Sequence, residues 1–185
     1  STAPTVAWRR SARKTVEAMR AGRSRLQSAG KAGSDDQLIL APALRRAAVL
    51  EVIGSARRRL ILSMFRCDDV AVLDSLADAL ARKVRVEVLV TPRAKGWQRR
   101  LDRLWLVLEG MGATLYRYPD PVVKYHAKYL VADSGPALVA SFSLTTKCFS
   151  STVDFALMTC DRAVVAGLTR LFEADRVGAH GGSRR

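Results

Sequence analysis

From residue 34 onward, short apolar runs alternate with stretches in which apolar side chains recur every three or four residues. The runs have the length and composition of buried strands, and the longer stretches have the spacing of one helix face. Strands that alternate with helices are typical of an α/β domain with a largely parallel sheet. The strands are predicted at 38–40, 60–65, 84–90 and 114–118, and the helices at 43–57, 70–80 and 97–111.

The last third of the domain departs from this alternation. Three strand-like segments follow one another at 125–132, 137–143 and 154–160, before a final helix at 161–175. The turn sequence Asp133-Ser134-Gly135-Pro136 predicts a hairpin between the first two segments. We therefore expect an α/β fold with a mixed, mostly parallel sheet flanked by helices.

The positive charge of the chain is concentrated at its amino end. The sequence has 31 Lys and Arg against 17 Asp and Glu, a net charge of +14, of which +7 lies in residues 1–33. We expect these residues to form a basic arm, followed by one domain at 34–177 and a polar tail at 178–185. This charge favours a polyanionic partner, which can be nucleic acid, anionic lipid or a phosphorylated substrate.

The sequence excludes several other classes of protein. No apolar run approaches the roughly 18 residues of a membrane span. Three cysteines, Cys67, Cys148 and Cys160, are too few for a disulfide scaffold, and no CxxC pair predicts a zinc site. Reduced thiols in the cytoplasm are the simplest interpretation, although a Cys148–Cys160 bridge and a location peripheral to a membrane stay open. We expect neither a metal nor a cofactor.

One constellation carries chemistry. His126 and Lys128 are followed by Asp133 in the pattern H-x-K-x4-D. With 2 His, 7 Lys and 12 Asp in the chain, about 0.005 such patterns are expected by chance. On a strand His126 and Lys128 would share one face, whereas Asp133 has the opposite parity and lies at the turn. An imidazole can attack phosphorus or act as an acid, and a neighbouring ammonium stabilises the charge of the transition state.

These residues resemble the signature of the phospholipase D superfamily. A second strand of that family carries a short Gly/Ser pattern, with an acidic residue about ten positions later. The corresponding residues here are Ala140-Ser141-Phe142-Ser143 and then Asp154. The resemblance extends from Leu38 to Phe172, and it implies a metal-independent phosphodiester hydrolase or transferase.

The resemblance implies a role for each matching residue. His126 would be the nucleophile that forms a phosphohistidine, or the acid that protonates the leaving group. Lys128 and Ser141 would bind phosphate oxygens, and Asp154 would accept a hydrogen bond from the imidazole. Asp133 completes the catalytic motif as a structural partner and not as a reacting group.

The family reaction uses two histidines, and this chain has only His126 and His180. Because His180 lies in a glycine-rich terminus, we expect the second imidazole to come from elsewhere. Either two chains pair as a homodimer, or the chain is half of a longer two-motif enzyme of the cardiolipin synthase type. The departures Ala140 and Ser143, where the family usually has Gly and Asn, leave a third hypothesis open. This is an inactive polyanion-binding or scaffold module.

Basic residues around the motif are candidates for substrate binding. A cluster follows the end of the third predicted strand, where ligands gather in such sheets, although a solvated helix face is the alternative. Nucleic acid is slightly favoured over phospholipid as the substrate. The candidate substrate-binding residues are Ser143, Lys124, Lys147, Arg93, Lys95 and Arg99.

Overall fold

The computed structural model describes residues 36–118 and 125–179, which form seven strands and four helices. The strands are β1 (Gln37–Ile39), β2 (Arg59–Met64), β3 (Arg85–Val90), β4 (Thr114–Arg117), β5 (Tyr129–Ala132), β6 (Ala137–Ala140) and β7 (Ala156–Thr159). The helices are α1 (Pro42–Ser55), α2 (Val70–Ala81), α3 (Gln98–Met111) and α4 (Arg162–Gly178). The expected arm at 1–33 lies outside the described residues. The expected tail begins inside α4, and its residues from 180 onward are also outside.

All seven strands form one sheet in the order β1-β7-β6-β5-β2-β3-β4. The α/β class and the mixed sheet are confirmed, as is the hairpin between β5 and β6. The expectation of mostly parallel pairing is wrong for the described strands, because only β2–β3 and β3–β4 pair in parallel. The strands β5, β6 and β7 follow one another without crossover helices, so they pair antiparallel. The pairings of β5 with β2 and of β7 with β1 are also antiparallel.

Helix ends coincide with local signals in the sequence. Asp69 begins α2, and its carboxylate accepts a hydrogen bond from the N–H of Val72 at 3.3 Å. Asp161 begins α4 in the same way, with Val164 as donor at 2.9 Å. Gly112 ends α3 in the left-handed region at φ 100°, which costs a glycine little. These caps explain why helix positions could be predicted to within a few residues.

The helices cover both faces of the sheet. The first three helices pack on one face, around buried side chains such as Val52, Leu76 and Leu104. On the other face α4 packs Val165 and Phe172 against the central strands. None of the helices in the described ranges has the length and apolarity that a membrane span requires.

The cysteines are free thiols in this fold. Cys67 is buried, Cys148 is half-buried and Cys160 is exposed. The open expectation of a Cys148–Cys160 bridge is therefore wrong. Cys148 lies in the turn region after β6, whereas Cys160 follows the end of β7, and a β-strand separates the two positions.

Candidate active site

The chain brings five strand ends to one edge of the sheet. The carboxyl ends of β2 and β3 lie at this edge, and so does the start of β5, because β5 runs antiparallel to β2. The antiparallel pairing of β6 and β7 then places the end of β6 and the start of β7 there as well. His126, Lys128, Ser141 and Asp154 all lie immediately beyond these ends.

His126 and Lys128 lie in the segment that leads into β5, and not within a strand as expected. Strand pairing between β2 and β5 begins only at Ser63 and Tyr129. Before that point, Ser63 Oγ donates a hydrogen bond to the Ala127 carbonyl at 2.7 Å, in place of a backbone donor. Ser63, on the neighbouring strand, thus holds the backbone of the motif segment. The side chains of His126 and Lys128 can then face the site.

The two side chains nonetheless lie together. Lys128 Nζ is 3.0 Å from His126 Nδ1 and 3.3 Å from Nε2, and it also donates to the His126 carbonyl at 2.9 Å. Phe65, just beyond β2, contacts the imidazole with ring centroids 5.2 Å apart. The ammonium group therefore stands beside both ring nitrogens, where a phosphate bound to the imidazole would also be.

Positive charge and burial act on the imidazole in the same direction. Burial lowers the pKa of His126, and the charges of Lys128 and Arg66 lower this pKa further. A lowered pKa keeps the ring neutral at physiological pH, which leaves one nitrogen with a free lone pair. Burial also lowers the pKa of Lys128, and the nearby Asp154 carboxylate opposes that shift. The site therefore combines a neutral imidazole with cationic neighbours.

Ser141 and Asp154 form the second half of the cluster. Ser141 Oγ donates to Asp154 Oδ1 at 2.8 Å and accepts from the Phe155 N–H at 3.1 Å. Both imidazole nitrogens of His126 instead contact Lys128, so the expected bond between Asp154 and the imidazole is not among the contacts described for His126. Asp154 acts electrostatically on Lys128, as the opposing shift in the pKa of Lys128 indicates.

A buried arginine fixes the segment that carries Asp154. Arg45 lies on α1 with its side chain fully buried. Its guanidinium donates to the carbonyls of Cys148 at 2.7 Å, Thr152 at 3.1 Å and Asp154 at 2.8 Å. It also reaches the Leu40 carbonyl at 3.2 Å. A single side chain from α1 therefore holds both ends of the stretch from 148 to 154.

Asp133 lies at the opposite edge of the sheet, beyond the end of β5. Its carboxylate accepts hydrogen bonds from the backbone N–H groups of Arg57, Arg58 and Arg59 at 2.7–2.9 Å. Burial would raise the pKa of Asp133, but these backbone donors, Arg59 foremost, hold it below its usual value. The strand β5 therefore separates Asp133 from the reactive edge, where His126 and Lys128 lie.

The candidate substrate-binding residues are dispersed around the site. Arg93 and Lys95 are exposed on the loop after β3, and Arg99 is exposed in the first turn of α3. Ser143 is half-buried and Lys147 is exposed in the turns after β6. Lys124 lies outside the described residues. The described residues contain no group of three or more His, Cys, Asp or Glu that could hold a metal ion.

Sequence reasoning missed two arginines that border the site. Arg45 stands within an apolar helix stripe, and a basic residue at such a position was the available signal. Arg66 lies two residues beyond the end of β2, with its guanidinium carbon 4.9 Å from the Phe65 ring centroid and 5.8 Å from that of Trp97. Its position at a strand end was the signal, since that is where the other site residues are found.

The mixed sheet, with His126, Lys128, Ser141 and Asp154 at one edge, agrees with the arrangement that the resemblance to the phospholipase D superfamily implies. The sequence profile described as cardiolipin synthase, PLD-like domain, matches residues 49–176. The chain therefore belongs to this phospholipase D-like family, as its motif led us to expect. No curated protein matches the sequence.

Solved structures share the fold at low sequence identity. Nuc from Salmonella typhimurium, a phospholipase D family member, is similar with a TM-score of 0.70 and 15% identity, over 80% of this chain and 97% of Nuc. NucT from Helicobacter pylori has a TM-score of 0.63 and 13% identity, over 80% and 99%. Phosphatidylserine synthase from Haemophilus influenzae has a TM-score of 0.61 and 11% identity, over 78% and 39%.

Proposed function

We propose that the protein is a phosphodiesterase in which His126 attacks phosphorus and forms a phosphohistidine. The observation that carries the proposal is the contact of Lys128 Nζ with both ring nitrogens, at an edge that also holds Ser141 and Asp154. The imidazole lone pair forms a bond to phosphorus as the bond to the leaving oxygen breaks. That oxygen takes a proton from an acid, and water then cleaves the phosphohistidine.

The cationic groups supply the charge stabilisation in this mechanism. Phosphoryl transfer builds negative charge on the equatorial oxygens, and an ammonium placed beside the imidazole stabilises it. Lys128 would exchange its contact with the ring for one with the phosphate, and the Ser141 hydroxyl would add a hydrogen bond. We propose that these groups act without a metal ion.

A second imidazole is needed to protonate the leaving oxygen, and we propose that it comes from a second copy of the chain. An apolar patch lies on the α4 face of the sheet, on the strands that α4 leaves uncovered. Leu38 and Val139 both face Leu157 in register, and Phe155 shares its side of β7. Phe155 is 53% exposed and directly follows Asp154, so the patch borders the site. A partner seated there would bring its own His126 close. The alternative, a second motif on a longer chain, would cover the same patch.

The central experiment measures cleavage of bis-(p-nitrophenyl) phosphate in EDTA. We expect turnover by the wild type and none by His126→Ala, because His126 is the only histidine in the described ranges 36–118 and 125–179. His180→Ala is the matched control, and it should retain activity if both imidazoles are copies of His126. Full activity of His126→Ala would remove the proposed mechanism.

The dimer is tested separately by sedimentation and activity together. Phe155→Glu places a charge on the patch and is expected to yield monomers without turnover. Leu106→Glu is the control, because Leu106 is 70% exposed on α3, away from the patch. An active Phe155→Glu monomer would contradict the shared site.

The substrate class follows from charge. Arg93, Lys95 and Arg99 are exposed near the reactive edge and can follow a chain of phosphates, which favours nucleic acid over phospholipid. Comparing cleavage of single-stranded DNA with cleavage of anionic vesicles separates the two. Faster cleavage of vesicles would reverse this preference.

An inactive polyanion-binding module is the second candidate. One observation favours this candidate. Asp154 accepts a hydrogen bond from Ser141, and the contacts described for the His126 imidazole include no carboxylate that would orient the ring. Such a module would bind nucleic acid or anionic lipid with strong salt dependence and no turnover. Trapping a phosphoenzyme that is stable to base and labile to acid would exclude this candidate.

A further inference from the structure

Arg66 is fixed to the reactive edge by its backbone. Its carbonyl accepts a hydrogen bond from the Leu144 N–H at 2.9 Å, and Cys67 forms a bridge with the same residue. Leu144 follows Ser143, so the loop after β2 is joined to the segment after β6 that carries Ser141. Arg66 therefore lies between the two halves of the proposed site.

Two aromatic rings hold the side chain of Arg66. Its guanidinium carbon lies over the Phe65 ring at 4.9 Å and over the Trp97 ring at 5.8 Å. Phe65 also contacts the His126 imidazole, and Lys128 Nζ is 6.0 Å from the Phe65 centroid. A planar guanidinium stacked on aromatic faces keeps its N–H donors in fixed directions. Arg66, His126 and Lys128 are thus arranged around one ring.

The charge of Arg66 is not used inside the described part of the protein. Arg46, Arg59 and Arg117 each pair with a carboxylate, whereas no ion pair there includes Arg66. Its buried Nε also lacks a hydrogen-bond partner among the described residues. Burial lowers the pKa of His126 most, and the charges of Lys128 and Arg66 lower it further, so the charge of Arg66 acts on the reactive imidazole. An arginine that lies beside a reactive imidazole and has no carboxylate partner among the described residues is suited to bind an anionic substrate.

We infer that Arg66 is a substrate-binding residue whose guanidinium holds non-bridging oxygens of the phosphodiester that His126 attacks. This inference rests on the proposed function of the site. The fork of N–H donors matches two phosphate oxygens at once, which a lysine cannot do. Phe65 and Trp97 orient the fork, and Lys128 supplies the second positive charge.

The test compares Arg66→Met and Arg66→Lys with a control of equal charge change, Arg58→Met. Arg58 is exposed at the opposite sheet edge, where its backbone N–H donates a hydrogen bond to Asp133. With bis-(p-nitrophenyl) phosphate, Arg66→Met should raise KM about tenfold or more with a smaller change in kcat, since one charged hydrogen-bonding group is lost. Arg66→Lys should lie between Arg66→Met and the wild type, and Arg58→Met should match the wild type.

A second measurement does not require turnover. Inorganic phosphate should raise the melting temperature of the wild type and of Arg58→Met, and this rise should be smaller in both Arg66 variants. The acid limb of the pH–rate profile should also move to higher pH in Arg66→Met, because His126 loses a positive neighbour. Unchanged KM and an unchanged phosphate effect in the Arg66 variants would overturn the inference. Failure of the proposed function would appear differently, as turnover that survives His126→Ala.

Discussion

Replacing Arg45 by methionine tests whether one buried side chain holds the Asp154 segment in place. Methionine fills most of the aliphatic volume of arginine but removes every guanidinium hydrogen bond. The carbonyls of Leu40, Cys148, Thr152 and Asp154 would each lose a charged donor. No other change of one residue in α1 removes so many contacts with the segment from 148 to 154.

The expected cost can be worked from these four acceptors. A buried polar group that loses its partner costs at least about 1 kcal/mol. Four carbonyls left without a donor therefore predict a loss of about 4 kcal/mol in the free energy of unfolding. For a domain of this size, that loss corresponds to a fall of roughly 8–16 °C in melting temperature.

Urea unfolding, followed by circular dichroism and extrapolated to water, measures the change in free energy. Arg58→Met is the control, because the side chain of Arg58 is exposed. It should change stability by no more than about 0.5 kcal/mol. A loss below about 1 kcal/mol in Arg45→Met would refute the reasoning, since the carbonyls would then have found other donors.

Three further outcomes follow from the environments of single groups. Because the folded-state pKa of Asp133 is depressed, its contribution to stability is present above the unfolded pKa of about 3.9 and is lost as pH falls through the folded pKa. Acid unfolding of the wild type should therefore show a loss that Asp133→Asn lacks. Burial raises the pKa of the Cys67 thiol to about 12, so iodoacetamide at pH 8 should label Cys160 and spare Cys67, as peptide mass spectrometry would show. NMR titration should give the His126 imidazole a pKa below its usual value of about 6.5, and this pKa should rise in Lys128→Met. A pKa that is unchanged in Lys128→Met would contradict the contact between Lys128 and the ring.

Local periodicity was enough to locate every described element, but it placed some ends too far along the chain. The segment predicted as a strand at 137–143 ends at Ala140. Beyond it, Leu144 pairs with the loop after β2, which turns the backbone away from β7. Such pairing joins residues almost 80 positions apart, and apolar spacing carries no information about it. The prediction of a mostly parallel sheet was wrong for a similar reason, because the relative direction of two paired strands depends on which strands become neighbours.

The candidate site was predicted in part. The spacing of His126 and Lys128 identified two side chains that do lie within hydrogen-bonding distance. It did not predict that Ser141 would contact Asp154, which lies 13 positions further along the chain, because the stretch between them is a turn region held by Arg45. Arg45 itself is more than 100 positions from that region. Contacts of this range depend on tertiary packing, which a single sequence does not record.

The four residues between Lys128 and Asp133 are the four residues of β5, Tyr129–Ala132. The motif therefore spans the sheet from one edge to the other. Its reactive groups lie at one edge, and the Asp133 carboxylate, which binds the backbone of the neighbouring segment, lies at the opposite edge. Adding or deleting one residue within the motif would turn each following side chain to the opposite face. The length of β5 thus sets the spacing between Lys128 and Asp133, and with it the distance from the reactive groups to the Asp133 carboxylate.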